Sequence, residues 1–456
     1  MSEPRKRVKL TLIGGGSQSW SPHIIRDIIC KAGMERVDLE FALLDLDLAR
    51  AEAIKRLFDV KLAEWKIDSV TMRATDDKCA ALTGADFVLI TISTGRLAAM
   101  RWDLEIPEKY GIYHTVGDTA GPGGWARALR NIPVFSEYAG LIQQYCPGAF
   151  VLNYTNPMSH LTSVLARQLG DHRVVGLCHG LFTNYEILQA MFQVEEREID
   201  LQFGGLNHFF WIKDFTIRGE DGYRLLREKL AGRKLHEVAE AIHTDSMGWH
   251  SHVRVGSELF EQIGVLPYLA DRHTCEFFNC YMTNLDLQQR FSIVRTAIAD
   301  REEQYVKAEE RIENWTQGRE TDWGPLTQEP SRETAADIIN AITFNEPFID
   351  VVNLVNRGQI ANLPFGATVE TMGTVTSGGF SAVSIGELPE PVAAICRRHA
   401  EVEQRTTEAG LHGDLDAALL ALAVDPVCAH LTVSDSKKMG MELLEANRVY
   451  LPQFFE

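Results

Sequence analysis

The sequence lacks paired cysteines and long apolar runs. Its eight cysteines are scattered over 456 residues, and no two of them form a Cys-x-x-Cys pair. This is too few for the disulfide framework of a secreted protein, so we expect reduced thiols and a cytoplasmic protein. No stretch reaches the roughly 18 consecutive apolar residues that a membrane-spanning helix needs, which argues against a membrane protein.

Basic residues are also scarce. The chain has 45 Lys and Arg against 63 Asp and Glu, and its formal net charge is −18. Nucleic acids and anionic membrane surfaces attract positively charged proteins, so neither is expected as the main partner. The 45% hydrophobic and 24% charged residues are ordinary for a globular protein with a large core.

Apolar runs and helical patterns alternate in the first half of the chain. Strands are predicted at 8–13, 39–44, 86–92, 149–152 and 173–177, and helices at 21–32 and 49–65. One or two further strands are predicted within 199–212, and helices at 285–315, 335–344 and 390–448. Strict alternation is typical of a parallel α/β sheet. We therefore expect an α/β domain over residues 1–200, followed by a mixed α+β domain over 201–456.

A glycine loop follows the first predicted strand. Gly14 and Gly16 match the first two glycines of the dinucleotide-binding pattern, Ser17 comes next, and Ser19 stands where the third glycine would be. Asp45 ends the second strand, where a carboxylate binds a ribose hydroxyl and favours NAD over NADP. These residues predict that the first domain is a Rossmann-like NAD-binding domain.

Polar residues follow several predicted strands. Asn153, Cys178 and His208 each come directly after an apolar run. Because ligands bind at the carboxyl ends of the strands in such sheets, these residues are candidates for a site. A thiolate and an imidazole suit Zn, Mn, Fe or Co, so Cys178 and His208 form a candidate metal pair. The alternative is a buried core cysteine and an unrelated histidine.

A second glycine-dense loop spans residues 117–124 and contains Asp118. Arg127 and Arg130 follow it at a spacing that places both on one face of a helix. Such arginines are suited to hold a substrate hydroxyl, carboxylate or phosphate. The alternative is a solvated helix face.

Six motifs together resemble glycoside hydrolase family 4. They are GGGS, GDTAGPGGWARALRNIP, NYTNPM, GLCHG, GLNHFFW and DRHTCEFF, in this order. The resemblance covers nearly the whole chain and points to the branch of α-glucosidases, α-galactosidases and α-uronidases that act on unphosphorylated sugars. It implies a glycosidase that needs NAD and a divalent metal, typically Mn²⁺, and that assembles as a homo-dimer or homo-tetramer.

The resemblance also implies a mechanism. NAD⁺ takes a hydride from sugar C3, a base removes the C2 proton, the C1–O bond breaks by elimination, water adds, and NADH returns the hydride. Cys178 and His208 match the metal positions, and His179 would act as the acid. Asp271 is the choice for the C2 base, with Tyr268 as its competitor.

The residues expected to contact substrate are Asp118, Arg127, Asn153 and Arg272.

The residue after His179 indicates a substrate class without deciding it. Cys-His-Gly resembles the α-glucuronidase form, and Gly180 would leave room for the carboxylate of a uronic acid. Arg272 or Arg96 would supply the cation for that carboxylate. The alternatives are a neutral α-galactosidase or α-glucosidase, an ordinary NAD dehydrogenase of the malate type, and an NAD-binding protein without catalysis.

Overall fold

A mixed β-sheet runs through the whole described part of the chain. The computed structural model describes residues 4–178, 180–242, 251–320, 322, 324 and 326–455. The strands in these ranges are β1 (Lys6–Ile13), β2 (Val37–Leu44), β3 (Val70–Thr75), β4 (Phe87–Ile90), β5 (Phe150–Asn153), β6 (Val174–Gly176), β7 (Ile199–Leu206), β8 (Phe209–Ile217), β9 (Glu220–Asp221), β10 (Leu266–Pro267), β11 (Phe348–Val355), β12 (Thr368–Thr376) and β13 (Gly379–Ala382).

One half of the sheet is parallel and has the order β3-β2-β1-β4-β5-β6. This is the strand order of a doubly wound dinucleotide-binding domain, so the predicted Rossmann-like architecture is confirmed. The apolar runs of β1, β2 and β4 are buried because helices cover both faces of the sheet. The carboxyl ends of these strands form the edge at which a cofactor would lie.

The other half is antiparallel and continues from β6 through β11, β12, β7, β8 and β10. Asn353 on β11 pairs with Gly176 on β6, and Glu370 on β12 pairs with Gly205 on β7. The sheet therefore crosses residue 200, where the sequence places a domain boundary. That division of the chain stays a prediction.

Helices cover the sheet on both faces. They are α1 (Ser21–Cys30), α2 (Leu48–Trp65), α3 (Lys78–Leu82), α4 (Arg96–Glu108), α5 (Gly121–Tyr145), α6 (Met158–Leu169), α7 (Gly180–Phe192), α8 (Gly222–Leu230), α9 (Leu235–Ala239), α10 (Arg254–Ile263), α11 (Asp271–Thr274), α12 (Asn279–Met282), α13 (Leu285–Arg290), α14 (Ile298–Thr316), α15 (Ala335–Phe344), α16 (Glu390–His412), α17 (Leu415–Ala423), α18 (Val433–Ala446) and α19 (Pro452–Phe455). None of the described helices is long and apolar enough to cross a membrane.

Several sequence predictions differ from the structure. The helical stretch predicted at 390–448 is three helices, α16, α17 and α18, and no strand was predicted where β11, β12 and β13 lie. Strand β3 was not predicted, because VTMRAT is a polar, half-exposed edge strand without a continuous apolar run. The single helix predicted at 285–315 is two helices, α13 and α14. Between them Ser292 has a φ of +53°, and the chain turns so that Phe291 and Ile293 are buried. Thr296 in this break then donates its backbone N–H to the carbonyl of Thr115 at 2.7 Å.

Candidate functional site

The glycine loop between β1 and α1 has the shape that a phosphate group requires. Gly14 has a φ of +90°, and a Cβ there would lie 2.3 Å from the Thr91 carbonyl oxygen. The backbone N–H of Ser17 donates to the Gly14 carbonyl at 3.0 Å, which closes the turn just before α1 begins. The loop thus points the N-terminus of a helix at the carboxyl edge of the sheet, where anions bind.

Asp45 lies beside this loop, as the sequence predicts. Its Oδ2 accepts the Gly16 N–H at 2.9 Å, and its Oδ1 accepts the Asp47 N–H at 3.0 Å. A Cβ on Gly16 would lie 2.8 Å from Asp45 Oδ2, so only glycine permits this approach. The carboxylate is half-buried and stays at the place where an adenosine ribose would bind.

His208 occupies the two-residue turn between β7 and β8. Its φ is +61°, a conformation that non-glycine residues adopt rarely and at a cost of about 1–3 kcal/mol. The neighbouring Asn207 holds the turn, because its side-chain N–H donates to Glu370 Oε2 on β12 at 2.9 Å. The turn therefore carries the buried His208 side chain in a fixed, strained position.

The hydroxyl of Thr119 links Asp118 to His208. It donates to Asp118 Oδ1 at 2.8 Å and lies 2.8 Å from His208 Nδ1. Because the single hydroxyl proton goes to the carboxylate, Nδ1 must carry its own proton and donate it to Thr119. The Nε2 lone pair of His208 is then available to a ligand.

Asp118, His208 and His273 form a group whose ligand atoms all lie within 4.8 Å of one another. The rings of His208 and His273 have centroids 4.1 Å apart. Burial favours a raised pKa of the Asp118 carboxyl, but His208, His273 and Arg127 outweigh it and hold that pKa far below its usual range. Two imidazoles and a carboxylate are suited to bind a divalent transition metal.

Tyr268 stands over this group, with its ring centroid 6.2 Å from that of His208 and 6.0 Å from that of His273. Its side chain is buried, and burial together with the neighbouring Cys178 raises the pKa of the phenol well above its ordinary value. The protonated phenol ring of Tyr268 thus packs beside both histidines.

Cys178 follows the end of β6, is half-buried and lies close enough to Tyr268 to affect its pKa. His179, the predicted acid, lies outside the described residues. Gly180 begins α7, and a Cβ there would lie 3.2 Å from both Phe210 Cε1 and Tyr268 Cζ. The glycine therefore lets the rings of Phe210 and Tyr268 pack close to the start of α7.

Arg127 and Asn156 extend the group on the other side. The Arg127 guanidinium is half-buried and donates through Nε to the Asn156 carbonyl oxygen at 3.1 Å. The Asn156 side-chain N–H donates to Asp118 Oδ2 at 3.2 Å, while its buried Oδ1 accepts no hydrogen bond from the described residues. Asp118 is therefore held from two directions, by Thr119 and by Asn156.

Arg130 does not join this group. Its guanidinium forms a two-bond ion pair with Asp103 on α4, at 2.7 and 2.6 Å, with both side chains fully buried. The expectation that Arg127 and Arg130 share one binding face is therefore wrong. Arg130 comes three positions after Arg127, but helix α5 is buried on the side that carries Arg130.

Three further predicted residues are engaged in bonds within the protein. Asn153 binds the backbone of Thr155 through both its oxygen and its nitrogen, at 2.9 and 3.2 Å. Arg272 is buried and donates to Thr296 Oγ1 at 2.7 Å. Asp271 accepts the backbone N–H groups of Arg254 and Gly256, at 2.7 and 3.0 Å, and so caps the first turn of α10.

The sequence reasoning assigned no role to Thr119 or Asn156. Both stand inside motifs that carry the resemblance, GDTAGPGG and NYTNPM, one and three residues from assigned positions. The signal was thus present in the motifs. Which of their polar residues face the site depends on how the two loops fold against each other.

Comparisons with known proteins identify the family of the chain. The family model described as family 4 glycosyl hydrolase matches residues 9–194, and its C-terminal domain matches residues 203–428. An alpha-galacturonidase from Bacillus subtilis (strain 168) is 32% identical over 449 residues, which cover 96% of this chain and 97% of that protein.

Two solved structures have similar folds. The crystal structure of lplD from Bacillus subtilis has a TM-score of 0.86 at 30% identity, and covers 96% of this chain and 100% of the other. A 6-phospho-beta glucosidase from Thermotoga maritima, solved with NAD and glucose-6-phosphate, has a TM-score of 0.77 at 25% identity. It covers 97% of this chain and 99% of the other.

Proposed function

Since the chain belongs to family 4 of the glycosyl hydrolases, we propose that it hydrolyses α-glycosides of unphosphorylated uronic acids, either galacturonic or glucuronic. The observation that carries this proposal is the group Asp118, His208 and His273 at the carboxyl edge of a Rossmann-like sheet. The uronic acid is favoured by the similar alpha-galacturonidase, which matches almost end to end.

The residues of the first glycine loop fit NAD. Gly14 and Gly16 admit no side chain without a clash, and α1 offers its N-terminus to a pyrophosphate. Asp45 is placed to accept hydrogen bonds from the ribose hydroxyls of NAD. In NADP a phosphate occupies the 2′ position, and its negative charge would be repelled by the carboxylate. When bound, NAD⁺ supplies the transient oxidation of the sugar at C3 and its final reduction.

The residues around His208 fit a divalent metal such as Mn²⁺. The lone pair on His208 Nε2 is available to a metal, and the ligand atoms of Asp118 and His273 lie within 4.8 Å of that of His208. Cys178, which was predicted as the second ligand, remains part of this proposal. A bound cation of this kind supplies a positive charge that polarises sugar oxygens.

Two side chains compete for the role of C2 base. The Asp271 carboxylate is buried, which raises its pKa to about 6, but its oxygens already accept backbone N–H groups at the start of α10. Tyr268 faces the histidine pair and Cys178. We favour Tyr268, which would act as the phenolate: a bound divalent cation would lower its raised pKa, and the phenolic oxygen, having given up its own proton, would take the C2 proton. His179 stays the proposed acid.

A uronate carboxylate also requires a cation. Arg127 and Arg272 both lie near enough to Asp118 to interact with it electrostatically, whereas Arg96 is exposed at the start of α4. Nε of Arg127 and one terminal nitrogen of Arg272 are engaged with other residues. We assign the carboxylate to these two arginines because their charges lie nearest to Asp118 among the three candidates.

A substrate panel tests the proposal. The protein is incubated with NAD⁺, Mn²⁺ and a thiol reductant, and with p-nitrophenyl α-galacturonide, α-glucuronide, α-galactoside or α-glucoside. We expect nitrophenol release from a uronide without accumulation of NADH, and slower release when C2 carries deuterium. Faster release from a neutral sugar would establish the alternative substrate class. Stoichiometric NADH formation would instead support a dehydrogenase.

The proposal also covers the cellular compartment and the oligomeric state. All eight cysteines are free thiols, which fits a reducing cytoplasm. A homo-dimer or homo-tetramer is proposed. The first surface to examine is formed by exposed apolar residues in α17 (Leu420), directly after it (Val424) and at the start of α18 (Val433). Light scattering at several protein concentrations would measure the assembly.

A further inference from the structure

Glu276 lies behind the second glycine loop and binds it with a single oxygen atom. Its Oε1 accepts the backbone N–H groups of Thr115, Val116 and Gly117 at 2.9, 2.8 and 2.9 Å. The side chain is 1% exposed, so it cannot reach a ligand in the cleft. Successive N–H groups that converge on one anion form a nest, which holds a backbone segment in one conformation.

His114 adds a fourth donor to the same oxygen. Its Nε2 accepts the Gly123 N–H at 3.0 Å, so the ring proton is on Nδ1, which donates to Glu276 Oε1 at 3.1 Å. Residue 114, which precedes the second glycine loop, and residue 123 near its end are thereby joined through one histidine to one carboxylate. Asp118 and Thr119 lie between these two anchored residues.

The same carboxylate belongs to the segment that carries His273. Glu276 follows His273 by three residues, and the segment is tied to the loop again where Thr115 Oγ1 donates to the Arg272 carbonyl oxygen. Residues 115–117 are thus bonded to the segment at Arg272 and at Glu276, on both sides of His273 in the sequence. The loop supplies Asp118 and the segment supplies His273.

We propose that Glu276 is a positioning residue that holds Asp118 and His273 at ligand distance from His208. This inference rests on the proposed metal site. Glu276 acts through the backbone. The nest fixes residues 115–117, and this in turn fixes the direction in which the Asp118 side chain points. The negative charge is suited to the role, since four donors need a strong acceptor and a neutral one would hold them less firmly.

The test compares Glu276→Gln, which keeps a carbonyl acceptor, with Glu276→Met, which has a similar length but no oxygen. Mn²⁺ affinity is measured by electron paramagnetic resonance of the free ion, without substrate. We expect a loss of about 10- to 100-fold for the Met variant, as for other residues that orient metal ligands, and a smaller loss for Gln. NAD affinity, measured by titration calorimetry, should stay within about twofold because its loop lies elsewhere.

A second measurement does not depend on the metal. Amide hydrogen exchange in the Met variant should rise in peptides that cover 114–119 and stay unchanged over β1 and α1. Unaltered protection of 114–119, Mn²⁺ affinity equal to the parent, or an equal fall in NAD affinity would each overturn the role. Leu443→Ala, a buried change in α18 outside residues 114–123, controls for simple loss of stability.

These measurements distinguish a failure of the role of Glu276 from a failure of the proposed function. A parent protein that binds Mn²⁺ and loses affinity in the Met variant supports the inference even if no glycoside is cleaved. A parent that cleaves uronides but retains its metal affinity in the Met variant contradicts it.

Discussion

At the scale of single residues, the Thr119 hydroxyl decides what His208 can do. The hydroxyl gives its proton to Asp118 and receives one from His208 Nδ1, so it determines which nitrogen of the ring is free. Residues that fix a histidine in this way are as important to a metal site as the ligands themselves. A site description limited to ligand residues would omit it.

Thr119→Val tests this role with little change in volume. We expect Mn²⁺ affinity to fall by about 10- to 100-fold, because His208 loses the partner that orients its ring. Thr83→Val is the matched control, since the Thr83 hydroxyl also donates a hydrogen bond, at 2.8 Å to the Cys79 carbonyl, but on the exposed surface. Equal affinities for the two variants would show that Thr119 does not orient His208.

Tyr268→Phe and Asp271→Asn distinguish the two candidate bases. The first should lower kcat for a uronide by at least about 100-fold, because proton transfer contributes on that order, and should leave stability nearly unchanged. The second should lower the free energy of unfolding by about 1 kcal/mol through the weakened cap of α10, with a smaller effect on kcat. Loss of kcat in Asp271→Asn alone, at normal thermal stability, would assign the base to Asp271.

At the scale of secondary-structure elements, one buried ion pair joins α4 to α5. Arg130 and Asp103 have no exposed surface, and burial favours a raised pKa of Asp103, which the guanidinium partly offsets. Arg130 Nε also donates to the Thr94 carbonyl at 2.9 Å, at the loop that follows β4. The pair therefore sets how the helix that carries Arg127 sits against its neighbour.

Arg130→Met should destabilise the protein by about 3–5 kcal/mol, because it leaves the Asp103 carboxylate buried without its partner. The double variant Asp103→Leu/Arg130→Met should recover much of that loss, since both charges are then absent. Urea unfolding of the two variants measures the difference. If the double variant is less stable than the single one, packing rather than charge dominates at this contact.

The elements themselves were predictable to different degrees. The helix at 335–344 matches α15, and the buried strands of the parallel half were found because their apolar runs end in polar residues. Strand β3 was not predictable, because it is a polar edge strand. The break at Ser292 was not predictable either, because it is caused by packing of the chain against Thr115. Local pattern identifies buried elements and misses those that tertiary contacts create.

The sequence predicted several residues of the site, but it did not predict the hydrogen bonds that these residues form. Asp118 and His208 were named from their places after strands and within motifs, and the structure brings them together with His273. The bonds that occupy Asn153, Asp271 and Arg130 could not be foreseen, because each partner lies in backbone or on another helix. Residue type and spacing indicate chemistry, but only the fold shows which groups are already engaged.

At the scale of the whole molecule, stability should depend on the buried carboxyl of Glu403. This residue of α16 lines a small cavity with Thr119, His160 and Asp425. Burial, with a contribution from Asp425, raises the pKa of Glu403 to about 8 from an ordinary 4.5. Between these values the unfolded chain has lost the proton that the folded protein keeps, so the free energy of unfolding falls as pH rises.

Glu403→Gln should remove this dependence and stabilise the protein by about 1–3 kcal/mol at neutral pH, because folding of the variant no longer requires the uptake of a proton that the unfolded chain has lost. The difference between variant and parent should be small near pH 4 and grow toward pH 8. Other buried groups at the cavity, His160, His399 and Asp425, titrate in both proteins, so the difference isolates Glu403. Parallel stability curves for the two proteins would contradict the prediction.

The pairing of β6 with β11 also has a consequence during translation. Strand β6 ends at Gly176 and its partner begins at Phe348, so the ribosome adds more than a third of the chain before that edge can close. Until then the nascent parallel half exposes unpaired N–H and C=O groups to other growing chains. The first half of this protein is therefore expected to depend on chaperones during synthesis, and a truncated product that ends near residue 200 should aggregate.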